Sequence, residues 1–95
     1  MKKMQIKLRK IDDFLNLFAG LSKQRLELLW RIKELEPESV YQLAKSLKKS
    51  QPFILKEVQF LADKGLIDLK KVKTDGRTRV KPMVHYNLLS IDIQF

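Results

Sequence analysis

The period of the hydrophobic positions changes several times along this chain, and each change marks an element. Residues 4–9 alternate. Met4, Ile6 and Leu8 fall on one side and Gln5, Lys7 and Arg9 on the other, the pattern of a strand with one face covered. From Asp12 the spacing turns helical. Asp12 is placed to cap a short helix that runs to Ala19 and is stopped by Gly20, and Phe14, Leu15, Leu17 and Phe18 give it a broad apolar face. Ser22 can cap the next helix, which continues to about Leu35 before Pro37 ends it. Leu26, Leu29 and Trp30 form one stripe on it, with Leu28, Ile32 and Leu35 beside them. An apolar face that wide places Trp30 in the core.

Further signals follow in order. Ser39 and Gln42 have capping-box spacing, with Gln42 expected to reach back to the amide of the cap residue. Leu43, Ala44 and Leu47 continue that short helix, and Lys48 and Lys49 make a turn. Ser50 caps the following helix, where Pro52 is tolerated in the first turn. Ile54, Val58, Leu61 and Ala62 recur at i, i+4, i+7 and i+8 and define one buried face. Lys64 suits the negative end of the helix, and Gly65 supplies the stop. Residues 66–69 open a strand and residues 80–88 form its return, with Val84, Tyr86 and Leu88 alternating with His85 and Asn87. Asp75-Gly76 between these runs is a hairpin signal, because tight hairpin turns need positive φ. Ile91, Ile93 and Phe95 alternate again in a last short strand. The order of elements is α+β: a winged helix-turn-helix of about four helices and a β-hairpin wing, with short strands at both ends. No repeat or linker divides residues 1–95, which read as one domain.

Charge sharpens this picture. The chain carries 20 basic and 11 acidic residues, a formal +9, unevenly spread. Residues 1–10 hold +5, residues 11–38 hold −2, and residues 39–64 and 65–95 hold +3 each. The excess therefore falls on the N-terminal arm and on the helix-turn-helix and hairpin, which points to a polyanionic partner. There is no cysteine, so disulfides and thiolate metal sites are excluded. The N-terminal pattern alternates where a signal peptide would be continuously apolar, and no run approaches a membrane span. The expected location is cytoplasmic. His85 is the only histidine and has no second ligand at metal-site spacing. No phosphate-cradling loop or nucleophile motif is present, so neither catalysis nor a metal or other cofactor is expected.

From Leu21 to Leu88 the chain resembles winged-helix transcriptional regulators of the ArsR and MarR type. The resemblance is carried by Ser22 with Arg25-Leu26-Glu27-Leu28-Leu29, by Leu43-Ala44 with Leu47, and by Ser50, Ile54, Val58 and Leu61 leading to Gly65-Leu66-Ile67. Asp75-x-Arg77 resembles the MarR wing tip, and Val84-His85-Tyr86-x-Leu88 is similar to the closing strand of ArsR proteins. Three departures stand out. Lys48-Lys49 occupies a turn that usually has a glycine and an apolar residue, the cysteine pair of ArsR metal sensors is absent, and strand-like termini replace the long dimerising helices of MarR proteins.

The resemblance implies binding of double-stranded DNA without catalysis, with the recognition helix, about residues 50–64, in the major groove. Its outward residues are Gln51, Phe53, Leu55, Lys56 and Gln59. Gln51 and Gln59 suit adenine edges, and Lys56 suits guanine or phosphate. Phe53 fits a thymine methyl or a protein partner equally well. Ser50, with its helix N-terminus, and Lys48, Lys49 and Lys73 are candidate phosphate contacts. Arg77 and Arg79, in a basic wing over residues 70–81, suit the minor groove of A·T-rich segments. The terminal strands and the first helix supply Ile6, Leu8, Phe14, Phe18, Ile91 and Ile93 for a homodimer, the strands pairing within one chain or across two. The alternative is a winged-helix protein-interaction module, either an antitoxin or a transcription-complex subunit.

Overall fold

The computed structural model describes residues 2–94, with Thr74 described through its backbone alone. The elements run β1 (Lys3–Leu8), α1 (Ile11–Phe18), α2 (Lys23–Leu35), α3 (Val40–Leu47), α4 (Gln51–Asp63), β2 (Asp68–Thr74), β3 (Arg77–Met83) and β4 (Leu88–Ile93). This is an α+β winged helix-turn-helix: four helices, a β-hairpin after the third and fourth, and a strand near each end. The described residues form two compact units, Lys23–Val84 and residues 2–22 with 85–94.

The unit Lys23–Val84 is held by local signals at each joint. Ser39 is buried, and its hydroxyl oxygen accepts from the Gln42 amide at 3.1 Å, which fixes the first turn of α3. The Gln42 side chain reaches back as expected, but one residue further. Its Oε1 accepts from the amide of Glu38 at 2.7 Å, so two free amides at the helix start are still satisfied. At the far end of α4, Gly65 takes φ +76°. The amides of Gly65 and Leu66 then donate to the carbonyls of Ala62 and Leu61. Leu28 and Ile32 of α2, Leu43 and Ala44 of α3, and Ile54, Val58 and Leu61 of α4 build the core, closed by Leu66 and Ile67. Leu43, Val58 and Leu61 are wholly buried, worth about 1.5–3 kcal/mol each.

Two expectations fail, one on α2 and one beyond the end of the wing. Trp30 is 71% exposed and Leu26 47%. The buried and half-buried positions of α2 are Arg25, Leu28, Leu29, Ile32 and Lys33, a face turned well away from Leu26 and Trp30. The helix has two apolar stripes, and the unit covers only one. Residues 84–87 are also not strand. The Asp68↔Met83 pair ends the β2–β3 ladder, because the chain before Asp68 belongs to the exit turn of α4 and offers β3 no further partner.

In the other unit, β1 and β4 pair in parallel within one chain, from Lys3↔Leu88 to Leu8↔Ile93. The amide of Asn87 donates to the Lys2 carbonyl and that of Gln94 to Leu8, both at 2.8 Å, which extends the ladder at either end. On the polar face Gln5 Nε2 donates to Asp92 Oδ2, and Ser90 Oγ donates to Oδ1 at 3.2 Å. Chiefly because of the Gln5 bond, the Asp92 carboxyl is held below its ordinary pKa. The cap of α1 is Lys10, without a side-chain bond. Asp12 and Asp13 lie inside the first turn, where their charge meets the positive helix end, so Asp12 is not the cap expected. This helix buries Leu17 and leaves Ile11, Leu15 and Phe18 exposed. Phe95, expected to end the last strand, lies outside the described residues.

Candidate nucleic-acid interface

The turn between α3 and α4 closes without glycine. Lys48 adopts the left-handed conformation at φ +57°, and the amides of Lys48 and Lys49 donate to Lys45 and Ala44. A left-handed non-glycine residue costs about 1–2 kcal/mol, and here it leaves Lys48 and Lys49 exposed beside the start of α4. Ser50 then caps α4, its oxygen accepting from the Phe53 amide at 3.3 Å, while the hydroxyl proton remains free to donate outward. Gln51, Phe53, Lys56 and Gln59 are all exposed on this helix, as its apolar periodicity implied, and Phe53 is 49% exposed. Leu55 is half-buried and faces the wing.

Sequence reasoning missed what seats α4 from behind. Nε and Nη2 of Arg25 on α2 donate to the two Glu57 carboxylate oxygens at 3.3 and 3.1 Å, and the guanidinium lies 3.7 Å from the Phe60 ring centroid. Both side chains of the pair are largely shielded, so the two-pronged bond is stronger than a surface ion pair. The only sequence signal was a lone carboxylate in a helix otherwise free of acid before Asp63.

The wing turns at Asp75 and Gly76, with φ +52° and +76°, closing on the Thr74↔Arg77 pair. Lys70 stands opposite Lys81 in the ladder, a like-charge pairing that works against the hairpin and favours an anion beside it. Arg77 is exposed at the tip. Arg79, two residues closer to the body, is half-buried, with its guanidinium carbon 5.0 Å from the ring centroid of Tyr41. Gln51, Leu55, Tyr41 and residues 77–80 line an open cleft of about 380 Å³ between the wing and the starts of α3 and α4. Among the described residues, Lys48, Lys49, Lys56, Lys73 and Arg77 engage no carboxylate. Ser50, Gln51, Phe53, Lys56, Gln59, Lys48, Lys49, Lys73, Arg77 and Arg79 all belong to the Lys23–Val84 unit.

The residues expected at a dimer contact all lie in the other unit. Phe18 and Ile93 are exposed, Ile6, Phe14 and Ile91 half-buried, and Leu8 buried within the chain itself. Among the described residues no group of His, Cys, Asp and Glu is arranged to hold a metal ion, and no helix is long and apolar enough to cross a membrane.

Comparison with known proteins agrees with the architecture. A solved structure from Methanosarcina mazei Go1, described as a possible transcriptional regulator, superposes with a TM-score of 0.58 at 20% identity. The match covers 79% of this chain and 64% of that one, less than two thirds of its length. No curated protein matches the chain. The model of the HVO_A0114 family matches residues 20–91, most of the chain including every element from α2 to β3, and the chain belongs to that family.

Proposed function

We propose that the chain is a cytoplasmic, homodimeric transcriptional regulator of the ArsR/MarR-like type that binds double-stranded DNA sequence-specifically and catalyses no reaction. The observation that carries this is one exposed surface within the Lys23–Val84 unit. The amide and ammonium groups of Gln51, Lys56 and Gln59 project from a capped α4, and the cationic hairpin with Arg77 at its tip belongs to the same unit. In this reading α4 enters the major groove, Lys48, Lys49 and Ser50 meet phosphate, and the wing lies on the flanking minor groove and backbone. The Methanosarcina mazei neighbour, described as a possible transcriptional regulator, supports the same role. Dimerisation is proposed through α1 and the terminal strands, because Ile11, Leu15, Phe18 and Ile93 leave an apolar surface that a second copy would cover.

Selection of bound duplexes from a random pool tests the reading and returns both motif and half-site spacing. If each protomer neutralises about four phosphates, the dimer's log–log salt slope is about −7. Binding that stays flat between low and moderate salt would sink it. Exposed Phe53 and Trp30 favour a second reading, a protein-interaction module. Failure to enrich any duplex, together with a monomer in sedimentation, would favour that reading.

A further inference from the structure

The two wing arginines differ in setting, and the difference assigns them different work. Arg77 stands at the tip. Arg79 is drawn back over Tyr41, a residue that no expectation included. Tyr41 sits in the first turn of α3, and that turn is immobilised by the Ser39 and Gln42 caps. Two clefts meet here. One, of about 380 Å³, opens toward Gln51 and Leu55; the other, of about 500 Å³, opens toward Gln42, Lys45 and Ser46. Tyr41 and Arg79 are the two residues lining both, so the pair forms the ridge between them.

We propose that Tyr41 holds Arg79 as a fixed phosphate clamp at the base of the wing, leaving Arg77 alone to enter the minor groove. The inference deepens the DNA-binding reading and rests on it. A guanidinium that lies face-on to an aromatic ring keeps its in-plane N–H donors free for two-pronged bonding to a phosphate. Tyr41 lies on the first helix of the helix-turn-helix, the helix that crosses the sugar–phosphate backbone in such folds. Lys45, one turn further along α3, extends the same cationic row. Entering the minor groove would require Arg79 to abandon the ring. Arg77 has no such tie and projects two strand residues, roughly 7 Å, beyond it.

The test uses the full chain and two duplexes that share the selected motif, one with A·T-rich and one with G·C-rich flanks, titrated at several salt concentrations. Wild type should bind with a steep salt slope and prefer the A·T-rich flanks. Arg77→Ala should erase that preference. Arg79→Ala should weaken both duplexes equally and make the slope shallower by about 0.9 per protomer. Tyr41→Leu should weaken both by about 2- to 5-fold per protomer, and Tyr41→Phe, which keeps the ring, should match wild type. The clamp is overturned if Arg79→Ala removes the flank preference, if Tyr41→Leu binds like wild type, if Tyr41→Phe fails like Tyr41→Leu, or if wild type ignores the flanks. Amide exchange on each variant checks folding, and Arg79→Ala decides the matter alone should Tyr41→Leu unfold. A wild type with a flat salt response would overturn the DNA reading itself, and the clamp with it.

Discussion

The unit Lys23–Val84 and the unit of the chain ends are assembled from contacts of opposite kind. In the first, each junction is set by residues a few positions apart: Ser39 with Gln42, Ser50 with Phe53, Leu61 with Leu66, Asp75 with Gly76. In the second, the sheet joins Lys3 to Leu88 and Leu8 to Ile93 across nearly the whole sequence. Local contacts form at little entropic cost, whereas the parallel pair must first close a long chain. A two-stranded sheet is also marginal by itself. The elements of the proposed DNA contact thus belong to the unit with local junctions, and the proposed dimer contacts to the one with most to gain from a partner.

The comparison breaks most sharply in the cores. Leu61→Ala should cost about 2–5 kcal/mol in chemical denaturation and strip amide protection from the whole Lys23–Val84 unit. Leu17→Ala, cut from the core of the other unit, should leave protection within residues 23–84 unchanged. Loss of protection throughout the chain would show that the two units unfold as one.

A smaller effect is expected at the joints. Ser39→Ala should cost about 1 kcal/mol by releasing the first turn of α3. Lys48→Gly should stabilise by up to about 1 kcal/mol, because glycine adopts the left-handed turn without strain. Thermal melts read both. Destabilisation by Lys48→Gly would mean that the lysine side chain contributes more than the turn costs.

The smallest effect is a pH dependence confined to the terminal unit. Asp92 has a folded pKa below its unfolded one, so its contribution is present above the ordinary aspartate range and is lost as pH falls through the lowered value. Acidification should shift the amide resonances of β1 and β4 only below the ordinary aspartate range, and Asp92→Asn should abolish that late shift. A shift of β1 and β4 already within the ordinary aspartate range would assign it to another group.

Residues that act on near neighbours were the legible ones. The Ser39 and Ser50 caps, the Gly65 stop, the Asp75-Gly76 turn and the outward face of α4 follow from spacing, whereas the Asp12 cap did not form. Periodicity shows that a helix has an apolar stripe, but which stripe is covered depends on what packs there. That is why Trp30 was assigned to a core that lies on another side of α2. The Arg25–Glu57 brace and the Tyr41–Arg79 contact join residues more than thirty positions apart, and neither partner carries a local mark of the other. The end of β3 at Met83 was hidden for the same reason, since a strand ends where its partner does.

The parallel pairing of β1 and β4 has a consequence for synthesis on the ribosome. Of this pair, β1 is made first and waits for β4. At about 5–20 residues per second, the eighty positions between Leu8 and Leu88 take roughly 4–16 s to add. Throughout that interval Met4, Ile6 and Leu8 form an apolar row with no strand to join. Lys2, Lys3, Lys7, Arg9 and Lys10 surround the row with like charge, which keeps two nascent chains from pairing through it before their own β4 arrives.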